Sequence, residues 1–288
     1  MIVAIRGWVA LVTALAVGSP HADAQEGSPG ATVIARRVGD YVEQYLSVAR
    51  RIVARESVTL QTLADNLSAV GPARRLEYET RVEWEPAADG AVPKATVYRT
   101  LLDLDGRAAF DSEQTGCLQP VSAEPLAFLL PGQRESYSFA IPAERGARRQ
   151  GAAVLAFVPL APGVPSLLWR GDCASLSLPG MLRGQLAYDP ATFAVLRIEH
   201  HLIKPVRVPV AKAQRRDDWG ESITIEQLDE TITYKAVQFR QPDETLMLPV
   251  EIQRVTLVRT PAVKAVRVTQ RFANHTRFVT DSRVVPIR

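Results

Sequence analysis

The stretch that decides the fold is Leu76–Trp84, LEYETRVEW, in which uncharged and charged side chains alternate without a break. Successive side chains of a β-strand point to opposite faces, so this alternation predicts a strand with one face buried and the other in water. Residues 96–104 repeat the pattern and end at the turn dipeptide Asp105-Gly106, which is typical of a hairpin. These two segments therefore predict neighbouring antiparallel strands.

The same period of two continues through the second half of the chain. The clearest hairpin is predicted over Leu182–Leu202, whose arms flank the turn Asp189–Thr192 with its turn-forming Asp-Pro pair. Long and short apolar runs predict further strands over 152–160, 166–169, 174–178, 222–239, 246–259 and 263–272. Residues 119–131 are rich in proline and are predicted as a loop with a short helical turn.

One of these predicted strands, 246–259, changes its side-chain parity partway along. Leu246, Leu248, Val250 and Ile252 share one parity, whereas Val255 and Leu257 have the opposite one. A β-bulge near Gln253-Arg254 would return both sets to one face and bend the strand. Pro249 additionally predicts an edge position or an irregularity, since proline cannot donate to the ladder. Bends of this kind are typical of a strongly curved sheet.

Ahead of the strands lies a single segment with helical periodicity, residues 32–55. Its apolar side chains recur at intervals of three and four, which predicts an amphipathic helix. No strand–helix–strand alternation follows, which argues against a parallel sheet. One long helix followed by nine or ten mainly antiparallel strands predicts an α+β fold in which a strongly curved sheet wraps around the helix.

Residues 1–24 have the pattern of an export signal. Arg6 precedes an apolar run from Trp8 to Val17, and Ala22–Ala24 supplies the small-x-small motif of a cleavage site near Ala24/Gln25. The run is about half as long as a membrane-spanning helix, which makes an uncleaved anchor the lesser alternative. We therefore expect a signal peptide at 1–24, a single domain at 25–288 with an insert around 105–180, and a periplasmic or extracellular location.

Two cysteines, Cys117 and Cys173, lie in the predicted mature chain. An even number of cysteines in an exported protein predicts one disulfide. Two buried free thiols and a reactive pair are the alternatives, although the sequence has no C-x-x-C motif that would favour the latter.

Composition and motifs give little indication of catalysis. The 288 residues are 47% hydrophobic and 23% charged with a net charge of +3, which excludes a disordered chain and disfavours nucleic acid as a partner. His200 and His201 are adjacent in a predicted strand and point to opposite faces, so they predict a core and a solvated histidine rather than a metal site. No H-E-x-x-H, G-x-S-x-G or phosphate-binding loop occurs. We predict no catalytic residue, no metal and no cofactor.

A signal peptide, an amphipathic helix and long antiparallel strands with the hairpin Gly184–Thr192, GQLAYDPAT, resemble the lipoprotein-carrier (LolA/LolB-like) superfamily. The segment Pro242–Pro249, PDETLMLP, is also similar to a pattern common in such envelope proteins. The resemblance spans roughly residues 32–280. It implies an incomplete barrel closed by a helix, with an apolar cavity that shelters acyl chains.

This resemblance leads to a main expectation and two alternatives. The main expectation is a non-catalytic envelope protein that binds or carries a lipidic ligand. Its candidate ligand-binding residues, on one apolar sheet face, are Tyr78, Val82, Trp84, Tyr98 and Leu102. The alternatives are a protein-interaction or sensor module of the same fold, whose partner is another envelope protein, and a hydrolase without a recognisable motif.

Overall fold

The computed structural model describes residues 29–48, 52–85, 94–108, 126–142, 151–170, 173–212, 220–240, 243–259 and 263–277. The predicted signal peptide and its cleavage site lie outside these residues. The helices are α1 (Pro29–Val48) and the single-turn α2 (Pro131–Arg134), preceded by a 3₁₀ turn at Ala127–Leu129. The described strands are β1 (Ile52–Leu63), β2 (Arg74–Glu85), β3 (Lys94–Leu104), β4 (Arg107–Ala108), β5 (Tyr137–Ala140), β6 (Ala153–Pro159), β7 (Ser166–Arg170), β8 (Cys173–Ser177), β9 (Leu182–Tyr188), β10 (Val195–Leu202), β11 (Val206–Pro209), β12 (Ser222–Arg240), β13 (Asp243–Arg259) and β14 (Val263–Arg277).

Twelve of these strands form one antiparallel sheet. Its order is β4-β3-β2-β1-β14-β13-β12-β10-β9-β6-β5, with β11 paired to one end of β12. Strands β7 and β8 form a separate hairpin. Because β4 and β5 stand at the two ends of the order and do not pair with each other, the sheet is an incomplete barrel. The predicted α+β fold, with a mainly antiparallel sheet and an N-terminal helix, is confirmed.

The helix is shorter than its predicted span of 32–55. It ends at Val48, and β1 begins at Ile52, so the helical prediction is wrong for residues 52–55. These residues pair with β2 on one side and with β14 on the other. The strand places the even-numbered side chains Ile52, Ala54 and Val58 in the interior.

No helix in the described residues is long and apolar enough to cross a lipid bilayer.

The main core lies between α1 and one face of the sheet, which we call the inner face. Buried residues of α1 and of the segment 126–130 pack here with β5, β6, β9, β10, β12 and β13, and with Ile52 of β1. We call this set the helix-covered cluster. Contact is close at Gly39, where a Cβ atom would lie 2.5 Å from the carbonyl oxygen of Leu129. The helix and the 3₁₀ turn are therefore tightly packed against each other.

Two further apolar clusters occupy the inner face. One consists of Val206, Val208, Val210, Ile223, Ile225 and Leu228, and residues of the β7–β8 hairpin pack against it. The other consists of Val58, Leu76, Tyr78 and Leu104, with half-buried Leu60, Leu101 and Val268 around it. We call this last set the strand cluster, because all its members belong to β1, β2, β3 and β14.

The predicted turns are present. The hairpin over Leu182–Leu202 is confirmed as β9 and β10, and the amide of Ala191 donates to Asp189 Oδ1 at 2.8 Å in its turn. This hydrogen bond holds the pKa of the Asp189 carboxyl below its usual value. Asp105 and Gly106 both have positive φ, 53° and 87°, as a tight hairpin turn between β3 and β4 requires.

The bulge in β13 lies at a different residue from the predicted one. Pairing with β12 joins Thr233 to Glu251 and Tyr234 to Pro249, so Val250 is the extra residue. Pairing with β14 is unbroken from Glu251 to Arg259, and the prediction of a bulge at Gln253-Arg254 is therefore wrong. Pro249 has no amide hydrogen, which explains why the ladder is interrupted beside it. Arg254 consequently lies on the inner face with Ile252.

Candidate functional site

A row of polar side chains crosses the inner face along the borders of the apolar clusters. We call it the polar row, and from β3 to β10 its members are Arg99, Thr80, Glu56, Gln270, Arg254, Glu230 and His200. Pairing aligns Thr80 with Arg99 and aligns Glu230 with both Arg254 and His200. Buried polar groups are costly unless they are paired, so each of these side chains needs a hydrogen-bond or ion partner.

Glu56 is the centre of one end of the row, and its side chain is completely buried. Its Oε2 accepts hydrogen bonds from Thr80 Oγ1 at 2.5 Å and from Arg99 Nε at 2.6 Å. Its Oε1 accepts from Arg99 Nη2 at 3.0 Å and from Gln270 Nε2 at 2.6 Å. A carboxylate has about four acceptor positions, so these four donors saturate it.

The amide of Gln270 has one polar atom left over. Its Oε1 is buried and has no hydrogen-bond partner among the described residues. The residue is 3% exposed. Arg99 is the part of this cluster that reaches solvent, with 19% of its side chain exposed. A buried acceptor without a donor costs about 1–3 kcal/mol, which makes Gln270 Oε1 a candidate contact for a ligand or an ordered water.

Glu230 is the centre of the other end of the row. Its Oε2 accepts from Arg254 Nε at 2.8 Å and forms an ion pair with Arg254 Nη2, while His200 Nδ1 lies 3.4 Å from Oε1. Burial alone would raise the pKa of Glu230, but the neighbouring imidazole of His200 and the charge of Arg254 outweigh it and hold the pKa below its usual value. Phe157 packs against His200 with the ring centroids 5.5 Å apart.

Tyr234 connects this end of the row with the helix. Burial, reinforced by the neighbouring Tyr45 of α1 and by Glu230, raises the pKa of its hydroxyl well above the usual value. Its hydroxyl has no hydrogen-bond partner in the described part of the chain. The phenol is therefore neutral at physiological pH and is a second buried polar group that is available to a ligand or water.

The outer face of the sheet has solvent-exposed pairs of oppositely charged or polar side chains. Arg55 and Glu77 form an exposed ion pair across β1 and β2, and His201 Nδ1 lies 2.7 Å from Asp229 Oδ1. Exposed pairs of this type contribute at most about 1 kcal/mol each. His200 is buried and His201 is exposed, so the predicted core and solvated histidines are confirmed.

The structure separates the five candidate ligand-binding residues predicted from the sequence. Tyr78 lies in the strand cluster, and half-buried Val82 is on the same face. Trp84 lies in β2 and pairs with Ala95. The two remaining candidates, Tyr98 and Leu102, are in β3, and the register of β3 against β2 determines which face each of them occupies.

A bulge in β3 changes which of its residues face inward. Pairing joins Tyr78 to Leu101 and Glu77 to Asp103, so Leu102 is the extra residue of the bulge. Tyr98 pairs with Arg81 and lies on the outer face, where it is exposed. The residues of β3 that share the inner face with Tyr78 therefore include Leu104, Leu101, Arg99 and Val97 but not Tyr98.

The predicted disulfide stays a prediction. Cys173 begins β8 and pairs with Arg170, whereas Cys117 lies outside the described residues. Within the described ranges, no group of three or more His, Cys, Asp or Glu side chains could hold a metal ion.

Sequence reasoning missed the polar row, although a signal for it exists. In β1, Glu56 stands at the same parity as Ala54 and Val58, and in β12, Glu230 stands at the same parity as Leu228 and Ile232. Charged side chains normally occupy the solvated face of a strand, so a charged residue at the parity of the apolar side chains is unexpected. It therefore indicates a buried charge that needs a partner.

Comparisons with known proteins give a fold likeness only. No protein-family model matches the chain, and no curated protein matches it at a significant level. The chain is similar to a DUF1329 family protein from Desulfovibrio piger, at 9% identity and a TM-score of 0.41, over 88% of this chain and 95% of that one. It is also similar to a LolA superfamily protein from Nitrosomonas europaea, at 10% identity and a TM-score of 0.32, over 87% of this chain and 95% of that one.

A third likeness is to MucB in complex with MucA(peri), at 11% identity and a TM-score of 0.21, over 87% of this chain and 100% of that one. The Nitrosomonas protein belongs to the superfamily that the sequence resembles. At these identities and TM-scores, no ligand, partner or activity of these three proteins carries over to this chain.

Proposed function

We propose that this protein is an exported, non-catalytic binding protein that holds a hydrophobic or lipidic ligand on the inner face of its open sheet. The observation that carries the proposal is the composition of the strand cluster. In the described part of the chain, only strand residues build it, whereas α1 packs over the neighbouring helix-covered cluster. The core members Val58, Leu76, Tyr78 and Leu104 are themselves buried, and the half-buried residues Leu60, Leu101, Val268 and Val82 lie around them. An acyl chain would therefore enter between these half-buried side chains.

The energetics favour such a ligand. Removing one methylene from water contributes about 0.8 kcal/mol, so an acyl chain along the strand cluster gains affinity without any chemistry. Tyr78 would form part of the floor of the site, and half-buried Val82, Leu60, Leu101 and Val268 would form its rim. The polar row runs along one border of this surface and suits the polar end of an amphiphile.

Location and domain organisation belong to the same proposal. The pattern of residues 1–24 supports export, with a mature chain of one domain from residue 25 and an insert around 105–180. We propose a periplasmic or extracellular site of action and a disulfide between Cys117 and Cys173. The intact mass of the protein from its native envelope, measured with and without reductant, would test the cleavage site and the disulfide.

The experiment that tests ligand binding compares two neighbouring residues of β3. Leu101 faces the strand cluster and Thr100 faces outward. We expect lipid to be extracted from protein purified from its native envelope, and we expect the protein to bind a fluorescent fatty-acyl probe. Leu101→Arg should weaken probe binding by about tenfold or more, because it puts a charge on the acyl surface, while Thr100→Arg should leave it unchanged.

The outcome of this pair decides the proposal. Absence of both co-purified lipid and probe binding would overturn it. Equal effects of the two arginine variants, measured on samples with cooperative thermal unfolding, would show that the probe binds somewhere else.

A second candidate function, interaction with another envelope protein, is favoured by an exposed apolar patch at one end of the sheet. The patch consists of Leu160, Val164 and Ile203, and Val164 is 82% exposed. The amide of Gly163 donates to the carbonyl of Pro179, and that of Ile203 donates to Met181, so the loops of Val164 and Ile203 flank one turn. A photo-crosslinking residue at Val164 should give one discrete protein adduct in the envelope if this function holds, and one at exposed Thr245 should give none.

A further inference from the structure

The starting point is the position of Gln270 at the edge of the proposed acyl surface. On β14 it stands between Val268, which packs on the strand cluster, and Phe272, which packs on the helix-covered cluster. It pairs with Val58, a buried member of the strand cluster. Its amide therefore lies where the apolar part of a ligand on the strand cluster would end and the polar part would begin.

The orientation of this amide is fixed by chemistry. An ionised carboxylate only accepts hydrogen bonds, so the Gln270 group that meets Glu56 Oε1 must be the NH₂ group. Glu56 is itself held by two contacts from Arg99 and one from Thr80. The amide oxygen of Gln270 consequently points away from Glu56 and cannot exchange places with the nitrogen.

The fixed oxygen is an acceptor without a donor. Gln270 is 3% exposed, and its Oε1 has no partner among the described residues. A binding site with such an atom favours a ligand that supplies an O–H or N–H donor, because a ligand without one leaves the acceptor buried and unpaired.

The charges nearby restrict the ligand further. A carboxylate head group has no donor when it is ionised, and it would bring a second negative charge close to buried Glu56. An ammonium head group has donors, but it would meet the guanidinium of Arg99 in a site where the carboxylate is already saturated. An uncharged donor avoids both costs.

We infer that Gln270 Oε1 is the acceptor for the polar end of the ligand, and that the ligand is an uncharged amphiphile with a hydroxyl or amide N–H, such as a fatty alcohol or a primary fatty amide. This inference rests on the proposed function, since it names the ligand class of the same site. Gln270 acts as a specificity-determining residue, held in position by Glu56.

The test uses pairs of ligands that differ only in the donor. Hexadecan-1-ol is compared with methyl hexadecyl ether, and hexadecanamide with its N,N-dimethyl derivative, each by displacement of a fluorescent fatty-acyl probe from the full-length mature protein. We expect the wild-type protein to bind the donor member of each pair about tenfold more tightly. Gln270→Met should bind both members equally, at about the affinity that the wild-type protein has for the ether.

The control variant is Gln185→Met, at an exposed glutamine whose amide donates to Glu199 on the outer face. It should keep the wild-type preference. Equal binding of both members by the wild-type protein would overturn the inference and leave the proposed function intact, and it would indicate that only water meets Gln270 Oε1. A preference that persists in Gln270→Met would also overturn it.

Failure of all four ligands to displace a bound probe would overturn the inference alone, whereas absence of both probe binding and co-purified lipid would overturn the inference together with the proposed function. If Gln270→Met does not fold, the two ligand pairs measured on the wild-type protein still decide the matter, because they require no variant.

Discussion

Two regions of the inner face, here called the helix-covered half and the strand-only half, differ in which described elements build their apolar clusters. In the helix-covered half, α1 and the segment 126–130 pack on β5, β6, β9, β10, β12 and β13. In the strand-only half, the described residues of the cluster all come from β1, β2, β3 and β14. Both halves arise from the same alternation of side chains. The difference teaches that alternation decides which face is apolar, whereas the topology of the chain decides which elements pack on that face.

Each half ends at a buried glutamate that is held by an arginine. Glu56 is held by Arg99 and completed by a hydroxyl and an amide, whereas Glu230 is held by Arg254 and lies beside the imidazole of His200. At the border of the strand-only half, the neutral amide of Gln270 is therefore one of the partners of the buried glutamate. The border of the helix-covered half contains an imidazole in the corresponding place.

The largest expected effect comes from removing the arginine at the border of the strand-only half. Arg99→Ala leaves the carboxylate of Glu56 buried without its ion partner and should lower the free energy of unfolding by about 3–5 kcal/mol. Arg55→Ala, which removes an exposed pair with Glu77, should cost at most about 1 kcal/mol. Urea unfolding measures both.

A double variant tests the cause of this loss. Adding Glu56→Gln to Arg99→Ala removes the buried charge and should recover part of the stability. A loss no larger than that of Arg55→Ala, or no recovery in the double variant, would contradict the description of Glu56 as a buried, paired charge.

An intermediate effect is expected from loosening the helix over the other half. In Gly39→Ala, the new methyl group would lie 2.5 Å from the carbonyl oxygen of Leu129 and 2.6 Å from Arg134 Nη1. The steric cost, reduced by the better helix propensity of alanine, should leave a net loss of about 1–2 kcal/mol. Thr32→Ala, on the exposed side of the helix, should change stability by less than about 0.5 kcal/mol in the same thermal unfolding measurement.

The smallest expected effect is a pH dependence at the border of the helix-covered half. The pKa of Glu230 is lower in the folded protein than its usual value, so ionisation of this group favours folding. Its contribution is complete above the usual carboxyl range and is lost as the pH falls through the folded pKa. The stability difference between wild type and Glu230→Gln should therefore be largest near neutral pH and should shrink as the pH falls below the usual carboxyl range.

The control for this prediction is Glu43→Gln, on the exposed side of α1. Its stability difference from wild type should stay below about 0.5 kcal/mol at each pH. A difference for Glu230→Gln that grows as the pH falls would contradict the sign of the pKa shift.

The sequence predicts the strands well where alternation and turn residues agree. The hairpin of β9 and β10 and the long strands β12, β13 and β14 follow from such patterns, because each pattern is local. The boundary between α1 and β1 could not be predicted, since Ile52 and Val53 continue the helical spacing. Only their pairing with β2 and β14 makes them strand residues.

The candidate site is harder to predict because it depends on register. Glu56 can be suspected from its parity, but Arg99 and Gln270 are 43 and 214 residues away along the chain. The bulge at Leu102 also reverses the faces of β3, so a strict period of two assigns Tyr98 to the wrong face relative to Leu104. A shift of one residue is enough to change which side chains could contact a ligand.

The pairing of β1 with β14 has a consequence for how the chain folds. The first described strand, β1, is a neighbour of the last described strand, β14, so a central part of the sheet depends on contacts of very high sequence separation. Such contacts raise the contact order and slow folding, because the loop-closure entropy is lost before the contacts form. Until β14 arrives, one edge of β1 has unpaired amide and carbonyl groups that can pair with another chain. Pairing of β14 with β1 therefore completes this part of the sheet and covers an edge that could otherwise aggregate.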